Sequence, residues 1–89
     1  MLLVASACET APPVQEMSDA RQAIAVAREA GAADLAATEL AQAEAYLQRA
    51  EQKLNDHAYR EARNDAISAK SRALKALKLS ESVKESGSN

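Results

Sequence analysis

Few side chains in this chain can do more than pack. Cys8 is the only cysteine and His57 the only histidine; serines are scattered along the sequence. One thiol can form neither an intramolecular disulfide nor a Cys-based zinc cluster, so Cys8 is read for its nucleophilic sulfur. His57 follows Asp56 and precedes Glu61 by four residues, which could offer a metal one imidazole and two carboxylates. A zinc site ordinarily takes three or four positioned ligands, so this trio is read as a polar turn. The serines have no second histidine and no nucleophile elbow beside them, and there is no Gly-rich phosphate loop. The expectation is a chain that is not an enzyme, holds no metal or cofactor and takes no small-molecule substrate.

The surroundings of Cys8 are more specific. Ala5, Ser6 and Ala7 precede it at the end of the apolar run MLLVASAC. This resembles a bacterial lipobox, where the cysteine sulfur takes a diacylglycerol and a peptidase cuts before the cysteine. Small side chains next to the scissile bond are what that reaction requires. The resemblance implies lipidation at Cys8 and a membrane held through that lipid. Ala5 stands where such sequences usually have Leu, and no basic residue precedes the apolar run. The run is also shorter than an ordinary signal, as a start placed too far downstream would leave it. Residues 1–8 are therefore read as a truncated lipoprotein signal. Glu9 follows the cysteine, where the usual inner-membrane retention signal is Asp, so the resemblance points to the periplasmic face of the bacterial outer membrane. Residues 9–17 are read as a spacer, because Pro12 and Pro13 favour an extended, polyproline-like chain. No stretch approaches the roughly 20 apolar residues of a membrane span.

Composition bounds the remainder. About a quarter of the 89 residues are alanine, there is no Phe or Trp, and Tyr46 and Tyr59 are the only aromatics. Alanine buries little area at about 25 cal/mol per Å², so long helices in close contact suit this chain better than a thick globular core. Net charge is −2 with acids and bases interspersed, which makes no case for nucleic acid as a partner. Strand signals are absent, and the fold class is read as all-α.

Residues 18–79 form the predicted helical domain. Ser18 and Asp19 are candidate N-caps for a first helix running to Ala30, with Asp19 and Gln22 at capping-box spacing. Ala20, Ala23, Ile24, Ala27 and Ala30 make its apolar stripe, and Gly31 is suited to the C′ position. Residues 32–37 are either a connection or a first turn with Leu35 facing inward. In a second helix Leu40, Ala43, Leu47, Ala50 and Leu54 recur at heptad spacing, large alternating with small. Asn55-Asp56-His57 supplies a short polar turn. A third helix from Tyr59 carries Ala62, Ala66, Ala69, Ala73 and Ala76 in the same rhythm. The short turn sets the second and third helices antiparallel. The predicted architecture is an antiparallel helical hairpin plus a shorter N-terminal helix, a three-helix, coiled-coil-like bundle.

Ile67, Leu74 and Leu77 widen the apolar face of the third helix. The five alanines beside them are therefore read as a self-association face, which implies a homo-oligomer or an envelope protein partner. Lys70, Arg72, Lys75 and Lys78 collect towards its C-terminal end, where cations complement the helix dipole. The plainer reading of that basic face is solvation; the other is contact with anionic lipid, peptidoglycan or another envelope polymer. Residues 80–89 lose the periodicity and are expected to fray.

Two segments resemble a known family. Ser18-Asp19-Ala20-Arg21, with the AREAGA that follows, and Tyr59-Arg60-Glu61-Ala62 at the start of the third helix are similar to the DUF4398 family, over roughly Pro13 to Leu79. His57-Ala58 stands where that family more often has Gly-Asp before the tyrosine. The resemblance implies a short Ala-rich helical domain of the bacterial envelope, often lipid-anchored, and supplies no catalytic residues. The second and third helices also look like one tetratricopeptide-type pair, but such pairs need about three repeats for stability. The function expected is a lipid-anchored structural, scaffold or protein-interaction module. The alternative is a soluble helical oligomer acting as an adaptor without an anchor.

Overall fold

A computed structural model describes residues 11–87. Ala5, Ser6, Ala7 and Cys8, on which the anchor reading rests, lie outside the described residues, as do residues 88–89. The described chain is all-α: helix α1 spans Val14–Glu29, a single turn α2 Ala32–Leu35, α3 Ala37–Asn55 and α4 Tyr59–Gly87, and the four pack together. Among the described residues there is no strand.

The N-cap of helix α1 lies five residues before Ser18, the earlier of the two expected caps. Pro13 sits at the N-cap, and the Met17 amide donates to the Pro13 carbonyl at 3.0 Å, closing the first turn. Proline suits a helix start, since its missing N–H costs no intrahelical bond there. Asp19 does not cap; its Oδ1 accepts from Gln15 Nε2 at 2.9 Å, one turn back on the same helix. The extension is stabilised by packing. With residues 14–17 helical, Met17 joins the stripe of Ala20, Ala23, Ile24 and Ala27, and all five are buried. The stretch expected to be a spacer through residue 17 is thus helical from Val14.

The helix ends at Gly31, whose φ of +90° is open to glycine and strained for other residues. A Cβ there would also touch Leu35 Cδ1 at 3.4 Å. Residues 32–37 resolve into α2 and the start of α3: Ala32 and Ala36 are buried and Leu35 is half-buried.

Helices α3 and α4 carry the heptad rhythm into the core. Leu40, Ala43 and Ala50 are buried, while Leu47 and Leu54 fill in from the side. One core cluster joins Ile24, Ala27, Ala32, Leu40, Ala43, Ala73 and Ala76; a second joins Met17, Ala50 and Ala66; Leu47 touches both. Alanine at each contact lets helix backbones approach closely, and large residues from one helix then meet small ones from another.

Two expectations change here. Ala62, Ala66, Ala69, Ala73 and Ala76 are all fully buried within a single chain, facing α1 and α3. The face read as available to another copy is already covered from inside, because the docked α1 takes the space that was assigned to a partner. Nor does α4 stop near Leu79. Ser80 continues the alanine spacing, is fully buried, and donates its hydroxyl to the Ala76 carbonyl at 2.8 Å. The helix then runs to Gly87 with residues 81–87 exposed.

Candidate functional site

Three places in the fold gather groups that a partner or reagent could meet. The first is the point where the N-terminal segment joins the helices. Pro13 is fully buried, and Arg63 of α4 donates from Nη2 to the Ala11 carbonyl at 3.2 Å. Arg63 Nε also lies 3.4 Å from Glu16 Oε2, tying the first turn of α1 to the same side chain. One guanidinium thus ties both Ala11 and the first turn of α1 to α4. Arg63 carries no signal in the sequence that would single it out, since its partners lie 47 and 52 positions away.

The second is the turn between α3 and α4. His57 has φ +62°, a left-handed conformation rare outside glycine. Its amide donates to the Leu54 carbonyl at 3.0 Å, and the Ala58 amide donates to the Lys53 carbonyl at 2.8 Å. This pair of bonds is a Schellman closure, with His57 in the position glycine usually takes. The imidazole is exposed and lies 5.9 Å, centroid to centroid, from the tilted ring of Tyr59. Asp56 and Glu61 are exposed on either side. Among the described residues no three His, Cys, Asp or Glu side chains come together as a metal would need.

The third is a shallow cleft of about 420 Å³ along the line where α1 and α3 meet. The alanine seams pack shut, as their composition leads one to expect, but here larger residues keep the two helices apart. Ile24 and Leu47 form the floor, and Arg21, Arg28, Glu44, Gln48 and Glu51 form the walls. Two ion pairs cross it, Arg21 to Glu51 at 3.3 Å and Arg28 to Glu44. All four side chains are about half exposed, so each pair contributes no more than about 1 kcal/mol. On the α4 side of α3, Tyr46 lies under two guanidinium groups, Arg49 at 5.4 Å and Arg72 at 6.0 Å, and Arg72 also donates to Gln42 Oε1 at 2.9 Å. Spacing along α3 cannot foresee Arg72, which arrives from another helix.

Polar pairs also record how the helices run past one another. Between α3 and α4, Arg49 faces Asp65 at 3.6 Å and Arg72 faces Gln42. Between α1 and α4, Glu16 faces Arg63 and Asp19 faces Lys70 at 3.9 Å. No helix among the described residues is long and apolar enough to cross a membrane.

A family model described as a domain of unknown function, DUF4398, matches residues 15–87. That span begins one residue into α1 and ends where α4 ends, so it takes in all four helices. No curated protein and no solved structure matches the chain.

Proposed function

We propose, for a chain that belongs to the DUF4398 family of domains of unknown function, that it is a non-enzymatic helical module held to the periplasmic face of the bacterial outer membrane by a lipid on Cys8. In this reading α1, α3 and α4 make an up-down-up, three-helix arrangement with α3 and α4 as its antiparallel hairpin. Three ion pairs and one hydrogen bond support that geometry. Positions rise on one helix as they fall on the other between α3 and α4, and rise together between α1 and α4. The module presents exposed helix faces to an envelope partner and acts as a scaffold or adaptor.

The observation that carries the reading is the join at Ala11. Arg63 and the buried Pro13 hold the chain at Ala11, three residues after Cys8 in sequence, against α4. A cysteine following small residues, and followed at once by a short link into a fixed exit point, is the layout a tethered domain needs. Metabolic labelling with a palmitate analogue, followed by membrane fractionation, tests it. The wild-type chain should take label and sediment with outer-membrane vesicles, and Cys8→Ser should do neither. Equal labelling of the two would remove the anchor from the reading.

A further inference from the structure

The outer side of α4, turned away from α1 and α3, has no role in the reading above. Between Arg60 and Lys78 this helix carries six basic residues and two acidic ones, in a chain whose net charge is −2. Of the two acids, Asp65 is buried beside Arg49 of α3. Ile67 and Leu74 are seven residues, or about two turns, apart; they are 52% and 45% exposed, on the side opposite the alanine seam. Lys70, Lys75 and Lys78 surround them and are all exposed. Lys70 reaches Asp19 only at 3.9 Å, and Lys75 and Lys78 make no ion pair among the described residues. The patch ends beyond Lys78, where Glu81 and Glu85 return to the same line.

A second observation places this face near the tether. Arg63, which holds the Ala11 carbonyl, lies one turn before Ile67 on the same flank of α4. Cys8 is three residues from Ala11, and three residues reach at most about 11 Å. Anything attached at Cys8 therefore starts close to the N-terminal end of the patch.

We propose that this outer face of α4, with Ile67 and Leu74 seated among Lys70, Lys75 and Lys78, docks on a bilayer surface bearing anionic headgroups, so that the domain lies along the membrane. The orientation rests on the anchored reading; the affinity of the face for anionic lipid does not. Lysines flanking exposed aliphatic side chains suit the interface, where the stems lie against acyl chains and the ammonium groups meet phosphate. Two aliphatic side chains bury little, so binding is led by charge, is reversible and is salt-sensitive. An upright domain would leave Lys75 and Lys78 about 18–22 Å from Arg63 along the helix axis, beyond a screening length of about 8–10 Å. Lying down brings both to the surface. Nucleic acid would use the lysines but would gain nothing from Ile67 and Leu74.

The test uses the full chain. Cys8→Ala, which carries no lipid, is sedimented with vesicles of phosphatidylcholine alone or mixed equally with phosphatidylglycerol. It should partition onto the mixed vesicles only, and less as salt is raised. Lys75→Glu with Lys78→Glu should weaken partition about tenfold or more, and Ile67→Ser with Leu74→Ser severalfold. All four positions are exposed, so circular dichroism should show unchanged helix content. Equal partition on both vesicle types, no partition, or a charge-reversed variant that binds like its parent would overturn the proposal. The orientation is read separately, with Leu74→Trp coupled through its Cys8 thiol to a maleimide-headgroup lipid. Acrylamide access to the tryptophan should fall on anionic vesicles and not on neutral ones, and equal access would overturn the lying geometry. Both arms use chain made without lipid on Cys8, so failure of palmitate labelling in cells and failure of this proposal are distinct results.

Discussion

At His57 the chain adopts a left-handed turn without the residue best suited to it. A side chain at φ +62° crowds the following carbonyl, a cost of about 1–2 kcal/mol for an ordinary residue and less for histidine. The two Schellman hydrogen bonds hold the turn regardless, and the imidazole leans towards Tyr59. His57→Gly should therefore raise the free energy of unfolding by about 0.5–1 kcal/mol, read from urea melts followed by circular dichroism. A loss of stability would mean that the Tyr59 contact outweighs the backbone strain. The two breaks between long helices thus use different residues for one job. At Gly31 the usual glycine takes positive φ, whereas at the α3–α4 turn a histidine is forced into it. Asn55-Asp56-His57 was legible as a turn from composition. Which of its residues would be left-handed was not, because that depends on where the last α3 hydrogen bond falls.

At the scale of an element, α1 shows packing overriding local signals. Ser18 and Asp19 are good caps by type, yet the helix starts at Val14 because burial of Met17 outweighs a cap. Fully burying such a side chain is worth about 1.5–3 kcal/mol, against about 1 kcal/mol for an N-cap. Met17→Ala should cost about 2–4 kcal/mol, measured by thermal or urea unfolding. A cost below about 0.5 kcal/mol, the range of ordinary surface changes, would place the true start of α1 near Ser18. Helix α4 shows the reverse case, where the pattern was stronger than it looked. The alanine rhythm runs on through Ser80, whose hydroxyl is satisfied within the helix, so a small polar residue keeps the seam. The DUF4398 match to residue 87 extends over the same added turns.

For the whole molecule, α4 is the hub: α1, α2 and α3 all pack on it, and its alanine face supplies the common contact surface. That arrangement decides what a substitution on the seam does. Ala69→Leu should destabilise the single chain by about 1–3 kcal/mol through overpacking and leave its sedimentation unchanged until it unfolds. A stable variant with an altered association state would show instead that the alanine face meets another copy. The same arrangement turns the basic side of α4 outward, on the helix whose Arg63 holds the Ala11 carbonyl.

The sequence by itself determined the helical class, the heptad seams of α3 and α4, and the breaks at Gly31 and around His57. All of these depend on residues within a few turns of one another, where spacing maps directly onto one helix face. Only the tertiary structure decided that the alanine face is filled from within, that Met17 belongs to the core, that Ile24 and Leu47 line a cleft between α1 and α3, and that Arg63 holds Ala11. Each of those depends on contacts between residues far apart in sequence, and helix periodicity says which face is apolar but not which neighbour will cover it.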